Sequence, residues 1–561
     1  MTAPTNNAGH PRALYVLFFT EMWERFAYYL MVGIFFLYLI DPTATGGKGF
    51  LNADAADLVG SFIALVYLAP FIGGMIADRF LGYRRAIVLG GLLMAAGYIG
   101  LSFPGDAALY LSLLSIIVGN GFFKPNISTL LGNIYDAEEL KARKDSAYGI
   151  FYMGINIGAF FCNFAAAYLR INYGWGYAFA AAGVGLLIGL AWLLINYKDE
   201  HFERSDKVKP LEPGDPTLGQ ILRTLFLPAA ITGLIGYFIS HPSLLGTTLF
   251  GSRSNDAFFF ACVPIIWFYL QLFFRASAED RRGLGALLAF FGVSIVFWVI
   301  YNQNSTALTI WADQYTKRTV PPAVEKLFSS VDMVQVVKTD SQVTYKTDQY
   351  LRVMTDEQGK PIEEIGPSMY FKNLPKEEWP QNGNSLKLIN PELFQSVNPF
   401  FIVFFTPLVS VWLFGWLRRR GREPSTPMKV TLGMLIGGLS SLVMIFAIMS
   451  TNIYENKVHM IWLISTYAVF TLGELLLSPI GLSMVSKLSP RRITAFMMGG
   501  WFLVNSIAGK ISGLMATFWD SFTDKKDYFL ILLIAALISA AVMLTLVKWI
   551  RQVVREKTGA D

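Results

Sequence analysis

The chain has 561 residues, 54% of them hydrophobic and only 15% charged, with a mean hydropathy of +0.45. A soluble domain carries roughly 25% charged residues, so the composition excludes an ordinary water-soluble globular protein and places the chain in a lipid bilayer. The net charge of +6 does not mark a nucleic-acid binder, because Lys and Arg stand in short clusters between apolar runs, the pattern of membrane topology.

A membrane span needs about 20 apolar residues, and about fourteen candidates occur in order: 13–40, 56–77, 84–103, 107–131, 147–168, 176–196, 220–240, 256–274, 283–312, 398–417, 428–450, 459–484, 493–517 and 527–549. The segment 1–12 is polar, and the first apolar run is too long and too charged for a cleavable leader, so it is expected to stay as a helix. Basic residues gather in alternate connections: Arg79, Arg84 and Arg85; Lys141, Arg143 and Lys144; Lys198, Arg204, Lys207 and Lys209; Arg275, Arg281 and Arg282; Arg418, Arg419, Arg420 and Arg422; Lys487, Arg491 and Arg492; Lys548, Arg551, Arg555 and Lys557. By the positive-inside rule these turns face the cytoplasm. A multi-pass protein of the cell (inner) membrane with both termini cytoplasmic is expected.

The first span holds Glu21-Met22-Trp23-Glu24-Arg25-Phe26-Ala27-Tyr28-Tyr29. At 100° per residue Glu21, Glu24, Arg25, Tyr28 and Tyr29 share one helical face. Each charge near a bilayer centre costs at least ~2.5 kcal/mol, so three together need partners or a water-filled cavity. After the second span comes Gly73-Gly74-Met75-Ile76-Ala77-Asp78-Arg79-Phe80-Leu81-Gly82-Tyr83-Arg84-Arg85. The small residues permit close helix contact, Gly82 permits a tight turn, and Asp78 can accept from Arg or from helix-end donors. As a bare pattern this is an ordinary positive turn, yet it resembles the loop motif of the major facilitator superfamily. Leu413 to Gly421 echoes it without the Asp, which suggests an internal repeat.

Lys124 lies deep in the fourth span beside Pro125, which cannot donate to the carbonyl of Gly121. A lysine there suits an anion or a carboxylate partner, although one reaching for headgroups is the blander alternative. Glu474 lies midway along the span 459–484 and is the natural partner for it, unless it pairs only structurally. Tyr67, Asn156, Trp298, Asn302, Gln303, Asn398 and Trp501 fall mid-span or near span mouths. Singly they read as interhelical glue or core; as a set they suit a peptide backbone and varied side chains.

The hydrophilic stretch 313–397 is long enough for a small domain and is exempt from the charge rule, so it is expected outside the membrane. Alternation over 342–350 predicts a strand, and 355–361 around Gly359 a hairpin turn. It carries no catalytic constellation, so a spacer or docking surface is expected. Cys162 and Cys262 sit in distant apolar runs and fit neither a disulfide framework nor a metal-ligand spacing. No cofactor, metal, nucleic acid or enzymatic activity is expected, and His10, His201, His241 and His459 are dispersed.

Glu21-x-x-Glu24-Arg25-Phe26-x-Tyr28-Tyr29 resembles a motif of the proton-dependent oligopeptide transporter family. Supporting likenesses are Gly119-Asn120-Gly121-Phe122-Phe123-Lys124-Pro125-Asn126, Phe151 to Ala159, Asn398-Pro399, Gly473-Glu474 with Ser478-Pro479, and Gly500-Trp501-Phe502. The resemblance implies an all-α major facilitator fold of two six-helix bundles with two extra helices between them in sequence and a small extracytoplasmic insert. The corresponding segments are 1–197, 198–282 with the extra helices, 283–312, the insert 313–397, and 398–561. It further implies that Arg25 and Lys124 receive a peptide carboxylate, that Glu474 with Asn156 and Asn398 receives the amino group, and that Tyr28, Tyr29, Tyr67, Trp298, Asn302 and Trp501 line the site. Asp78, Arg79, Gly82, Arg84 and Arg85 would serve gating.

The chain departs from the family where many members carry an outer charge pair that is also a proton site; Val32 and Asn302 stand there instead. The groups left to couple protons are Glu21, Glu24 and Glu474, with Arg25 and Lys124 beside them. The expectation is a monomeric symporter of protons and di- and tripeptides. The rivals are a facilitator-fold carrier for another small solute, and a non-transporting receptor acting through 313–397.

Overall fold

The computed structural model describes residues 9–206, 217–241, 244, 246–330, 333–340, 342–381, 385–490 and 493–558. Lys207, Lys209, Arg491 and Arg492, counted above among the basic turns, lie outside the described residues. The long helices are α1 (Arg12–Ile40), α2 (Asn52–Ile76), α3 (Tyr83–Gly100), α4 (Asp106–Ile134), α5 (Lys144–Tyr173), α6 (Trp175–Ile195) and α7 (Leu227–Ile239). They continue with α8 (Arg253–Arg275), α9 (Ala278–Asn302), α10 (Val397–Thr406), α11 (Thr426–Met449), α12 (Ile461–Leu488), α13 (Thr494–Thr517) and α14 (Lys525–Thr558). Every expected span coincides with one of them. Twelve helical stretches among the described residues are long and apolar enough to cross a membrane; α3, which opens on Arg84 and Arg85, and α13, which carries Lys510, fall short on composition.

Two compact units emerge, one of residues 1–31 and 68–214, the other of 32–67 and 215–561. In the first, α3 packs on α4 and α6, and α5 on α6. Backbones approach closely at glycines: a Cβ on Gly73 would lie 2.0 Å from the Gly121 carbonyl oxygen, and one on Gly90 2.5 Å from that of Gly119. The carbonyl of Gly121 is the one that Pro125 leaves without its helical donor. Only glycine lets α2 cover it.

In the second unit α11 packs on α12 and α14, α9 on α13 and α14, and α7 on α8. Large apolar side chains of α7 and α8, among them Leu234, Phe238, Val263, Trp267 and Phe274, are exposed. Such a face suits lipid, where the backbone bonds are satisfied within each helix.

Within 316–396 the structure forms short antiparallel pairs, Val334–Lys338 with Ser385–Ile389 and Gln342–Tyr345 with Glu363–Gly366, around Val337, Tyr370, Phe371, Leu374 and Leu388. The strand expected over 342–350 stops at Tyr345, because Asp348 accepts from the Tyr350 and Arg352 amides and turns the chain. The turn around Gly359 forms as expected, bridged between Thr355 and Pro361, with φ +77 at the glycine. Thr316–Lys317 pairs in parallel with Val458–His459 and ties this segment to the connection between α11 and α12.

At that tie the Lys457 ammonium is buried, donates to the Gln314 carbonyl (2.6 Å) and Asn373 Oδ1 (2.7 Å), and lies 4.2 Å from the Tyr370 ring centroid. Burial, with Arg318 adding to it and Asp313 opposing, holds its pKa well below the ordinary lysine value of 10.5. The unfolded chain then binds a proton that the folded chain has released, so folding stability gains as pH climbs from the depressed value toward 10.5. The melting temperature of the native protein relative to Lys457→Met is expected to rise with pH over that window in detergent micelles. A constant difference would contradict it.

Candidate functional site

In the first unit the site is built on α1. Arg25 makes a two-pronged contact with Glu24, its Nη2 donating to Oε1 at 2.7 Å and its Nε to Oε2, and its Nε lies 3.2 Å from Glu21 Oε1. The three are nearly sealed from solvent, with Glu24 at 0% exposure and Arg25 at 4%. One guanidinium therefore answers two carboxylates, a pairing that buried charges require. The second oxygen of Glu21 is buried without a hydrogen-bond partner. The guanidinium lies 5.3 Å from the Tyr28 ring centroid, and Tyr28 packs edge-on to Tyr29. Lys124 on α4 is in electrostatic reach of Glu21, Glu24 and Arg25. Two cations and two carboxylates thus share this cluster. Asn156 on α5 donates to the carbonyl of Tyr152, one turn back in its own helix.

In the second unit Glu474 on α12 is buried and accepts from Asn398 Nδ2 at 2.8 Å. Asn398 also donates to Thr471 Oγ1 at 2.9 Å, and Thr471 anchors on the Tyr467 carbonyl. Glu474 here is an acid among neutral amide and hydroxyl groups, opposite in character to the cluster around Arg25. Trp298 packs against Tyr301 and Trp501, and its indole nitrogen is buried without a hydrogen-bond partner. Trp501 stacks flat on Phe290 and presses on Gly481, where a Cβ would lie 2.2 Å from the ring. Asn302 donates to the Trp298 carbonyl, and Val32 is buried. Tyr67, half-buried, lies on the part of α2 that belongs to this unit.

The loop motif of the first unit opens with a π-helical turn, Ala77–Leu81, containing Asp78 and Arg79, and ends at Gly82 with φ +77. The donors that begin α3 go to Asp206, outside the motif: it accepts from the Tyr83 amide (2.6 Å), the Arg84 amide (3.3 Å) and Arg84 Nε (2.8 Å). Arg84 also reaches the Tyr197 carbonyl, while Arg85 is exposed. The second unit repeats the design at the faint sequence echo, with a π-helical stretch Pro407–Leu413, Gly421 at φ +62, and Glu423 taking Arg418 (2.7 Å) and Lys429 (2.6 Å). Hydrogen bonding to Arg418, with Lys429, holds the Glu423 carboxyl down at about 2.

Sequence reasoning missed three residues, two at these sites and a third, Lys510, elsewhere in the second unit. Thr471 was open to view, since it lies three residues before Glu474 on the same helical face. Lys510 in α13 is a mid-span lysine like Lys124, and the same criterion finds it. Asp206 offers no local signal, being separated from the turn it caps by 122 residues.

The profile of the POT family matches residues 84–347 and 384–531, leaving out 348–383 in the insert. The chain belongs to the POT family. It is 31% identical over 546 residues to an uncharacterized transporter of Bacillus subtilis (strain 168), covering 96% of this chain and 94% of the relative. It is 28% identical over 549 residues to a di-/tripeptide transporter of Lactococcus lactis subsp. cremoris, covering 96% of each. Among solved structures, a peptide transporter POT in complex with sulfate superposes with a TM-score of 0.73 at 30% identity, over 98% of this chain and 97% of that one. A POT family transporter in complex with 5-aminolevulinic acid gives 0.75 at 26% identity, over 97% and 98%. The POT chain described here accordingly has the all-α major facilitator fold and is a multi-pass membrane protein of a peptide transporter family.

The charge geometry on α1 orders the cost of losing each partner. Arg25→Met leaves two buried carboxylates without their counter-charge and is expected to cost about 3–5 kcal/mol. Glu21→Gln, which removes the acid with one oxygen already unpartnered, is expected to cost least of the three positions. Melting temperatures of purified variants in detergent check the order, and an Arg25→Met protein as stable as the native one would contradict it.

Proposed function

We propose that this POT family member is a proton-coupled symporter that imports di- and tripeptides by alternating access. The observation that carries the reading is the contrast between the two clusters: Arg25 and Lys124 are cations beside carboxylates that compete for them, whereas Glu474 is an acid held only by Asn398 and neutral neighbours. A peptide zwitterion has a carboxylate for the first and an ammonium for the second, and such complementarity favours the right ligand and orientation. The relative named as a di-/tripeptide transporter supports the substrate class. The solved relatives hold sulfate, an anion, and 5-aminolevulinic acid, which carries an amine and a carboxylate at its two ends.

In this reading Arg25 and Lys124 receive the peptide carboxylate, and Glu474 with Asn398 and Asn156 receives the amino group. Tyr28, Tyr29, Tyr67, Trp298, Asn302 and Trp501 shape the space for side chains. With Glu21 and Glu24 ionised, Arg25 is held by them; protonation releases it toward the substrate. A ligand shifts a conformational equilibrium only by its differential affinity for the states, and the freed guanidinium supplies that difference. Asp78, Arg79, Gly82, Arg84 and Arg85 form the turn about which α2 and α3 move.

The topology completes the proposal. The protein is a monomer of the cell (inner) membrane with both termini cytoplasmic and 313–397 outside. The segments divide at 197, 282, 312 and 397, with α7 and α8 as the additional pair. No catalytic role falls to any residue.

Vesicles reconstituted with the protein and given an inward proton gradient test the switch. The native protein is expected to accumulate dipeptide above the external level, and Glu24→Gln and Glu21→Gln to abolish accumulation. Variants that accumulate peptide as the native protein does would defeat the assignment.

A further inference from the structure

Three helices of the second unit meet at a charge cluster that none of the proposed transport steps uses. Lys510 on α13 has a side chain only 1% exposed, and its ammonium donates to Asp57 Oδ1 (2.8 Å) and Ser61 Oγ (2.6 Å) on α2 and to Ser254 Oγ (3.0 Å) on α8. Ser254 in turn donates to Asp57 Oδ2 at 2.6 Å. Each charge is thereby neutralised and hydrogen-bonded, the condition for burying a pair at tolerable cost. One turn away Gly60 and Gly513 touch backbone to backbone, a Cβ on either lying 2.6–2.7 Å from the other's Cα, and Ser506 Oγ donates to the Ala64 carbonyl. The first half of α2 is thus fastened to α13 over about two turns at 3.6 residues per turn, although the second half of the same helix belongs to the other compact unit.

Helix α8 is not a loose passenger here. Its Tyr269 hydroxyl donates to the Phe496 carbonyl on α13 at 2.8 Å. Positions 254 and 269 on α8 thus meet 510 and 496 on α13, so the helices run antiparallel and are pinned at two points ~22 Å apart at 1.5 Å per residue. The end bearing Ser254 is itself rigid. Ser252 caps the helix by accepting from the Asn255 amide, and buried Asp256 accepts from the Leu249 and Phe250 amides and from Ser240. Arg253 lies over the Tyr237 ring at 4.0 Å and ties this end to α7.

We propose that the additional hairpin α7–α8 is a splint on α13 whose Ser254 completes a latch with Asp57, Ser61 and Lys510, and that this latch sets how readily α2 parts from α13 during transport. The latch lies at the end of the unit that carries the insert, where Asn52 meets Asp520 and Arg352 meets Thr523. The inference rests on the transport reading, since only a carrier that opens at this end has reason to separate α2 from α13. A hydroxyl bridging both members of an ion pair favours the closed arrangement by the strength of hydrogen bonds to charged groups, and its loss shifts the equilibrium roughly tenfold.

Spin labels at the insert-side ends of α2 and α13, in protein whose Cys162 and Cys262 are replaced, report the separation in nanodiscs. Ser254→Ala is expected to raise the ratio of separated to closed populations about tenfold, Lys510→Met and Asp57→Asn to raise it further, and Ser254→Thr to restore the native ratio. Distributions unchanged in Ser254→Ala and Asp57→Asn would overturn the latch, and these two milder variants decide the matter if Lys510→Met does not fold. Dipeptide counterflow by the native protein is measured alongside. Its absence would sink the transport reading, whereas native counterflow with unmoved distances would sink the latch alone.

Discussion

A full charge inside an apolar helix bundle persists only when an opposite charge or a complete set of hydrogen bonds meets it, and that requirement organises this protein more than any other. Arg25 is held by Glu21 and Glu24 and Lys510 by Asp57 with two serines, while Glu474 accepts one hydrogen bond from Asn398. Lys457, outside the spans, is met by a carbonyl, an amide oxygen and an aromatic ring. The Arg25 cluster lies within α1, whereas the Glu474, Lys510 and Lys457 arrangements join elements distant in sequence, so there the contacts that make the charges tolerable also fix the helices. At the Lys510 cluster the glycine crossing of Gly60 on Gly513 brings the backbones near enough for such short-range pairing.

The pairings differ in what they can exchange. Around Arg25 a guanidinium is shared between two acids, and one acid oxygen is left without a partner, so a proton or a ligand carboxylate can alter the sharing. Glu474 is held by a neutral amide, whose replacement by a ligand ammonium leaves no buried charge unmatched. The Lys510 cluster, by contrast, is complete and joins three helices, which suits a contact that holds or releases. Under the proposed function, recognition of the ends of a peptide would leave its side chains to aromatic and amide surfaces, and such surfaces tolerate variety. Trp501 is packed against Phe290 and Gly481, which under the proposed function would make it a wall of that space.

Much of this was legible in the chain itself. Apolar run lengths locate every long helix, because a bilayer admits few alternatives. The face holding Glu21, Glu24 and Arg25 follows from helical period alone. The proline-freed carbonyl at Gly121 was also foreseeable, though not that Gly73 covers it. Partners across the fold were less accessible. Asp206 caps α3 from more than a hundred residues away, Thr471 was overlooked beside the more conspicuous Glu474, and Lys510 was passed over amid an apolar run. The strand beyond Tyr345 was misjudged because alternation over 342–350 hides the local turn that Asp348 imposes.

The central claim is that two oppositely charged ends of one ligand are recognised by the Arg25–Lys124 and Glu474–Asn398 clusters. Calorimetric affinity of the purified protein for dialanine, its N-acetyl derivative and its C-terminal amide tests this most directly. The account predicts at least a tenfold loss for each blocked end. It further predicts that Glu474→Gln removes the penalty for N-acetylation alone, and that Lys124→Gln reduces the penalty for amidation alone. Equal affinity for the blocked and free peptides would contradict it.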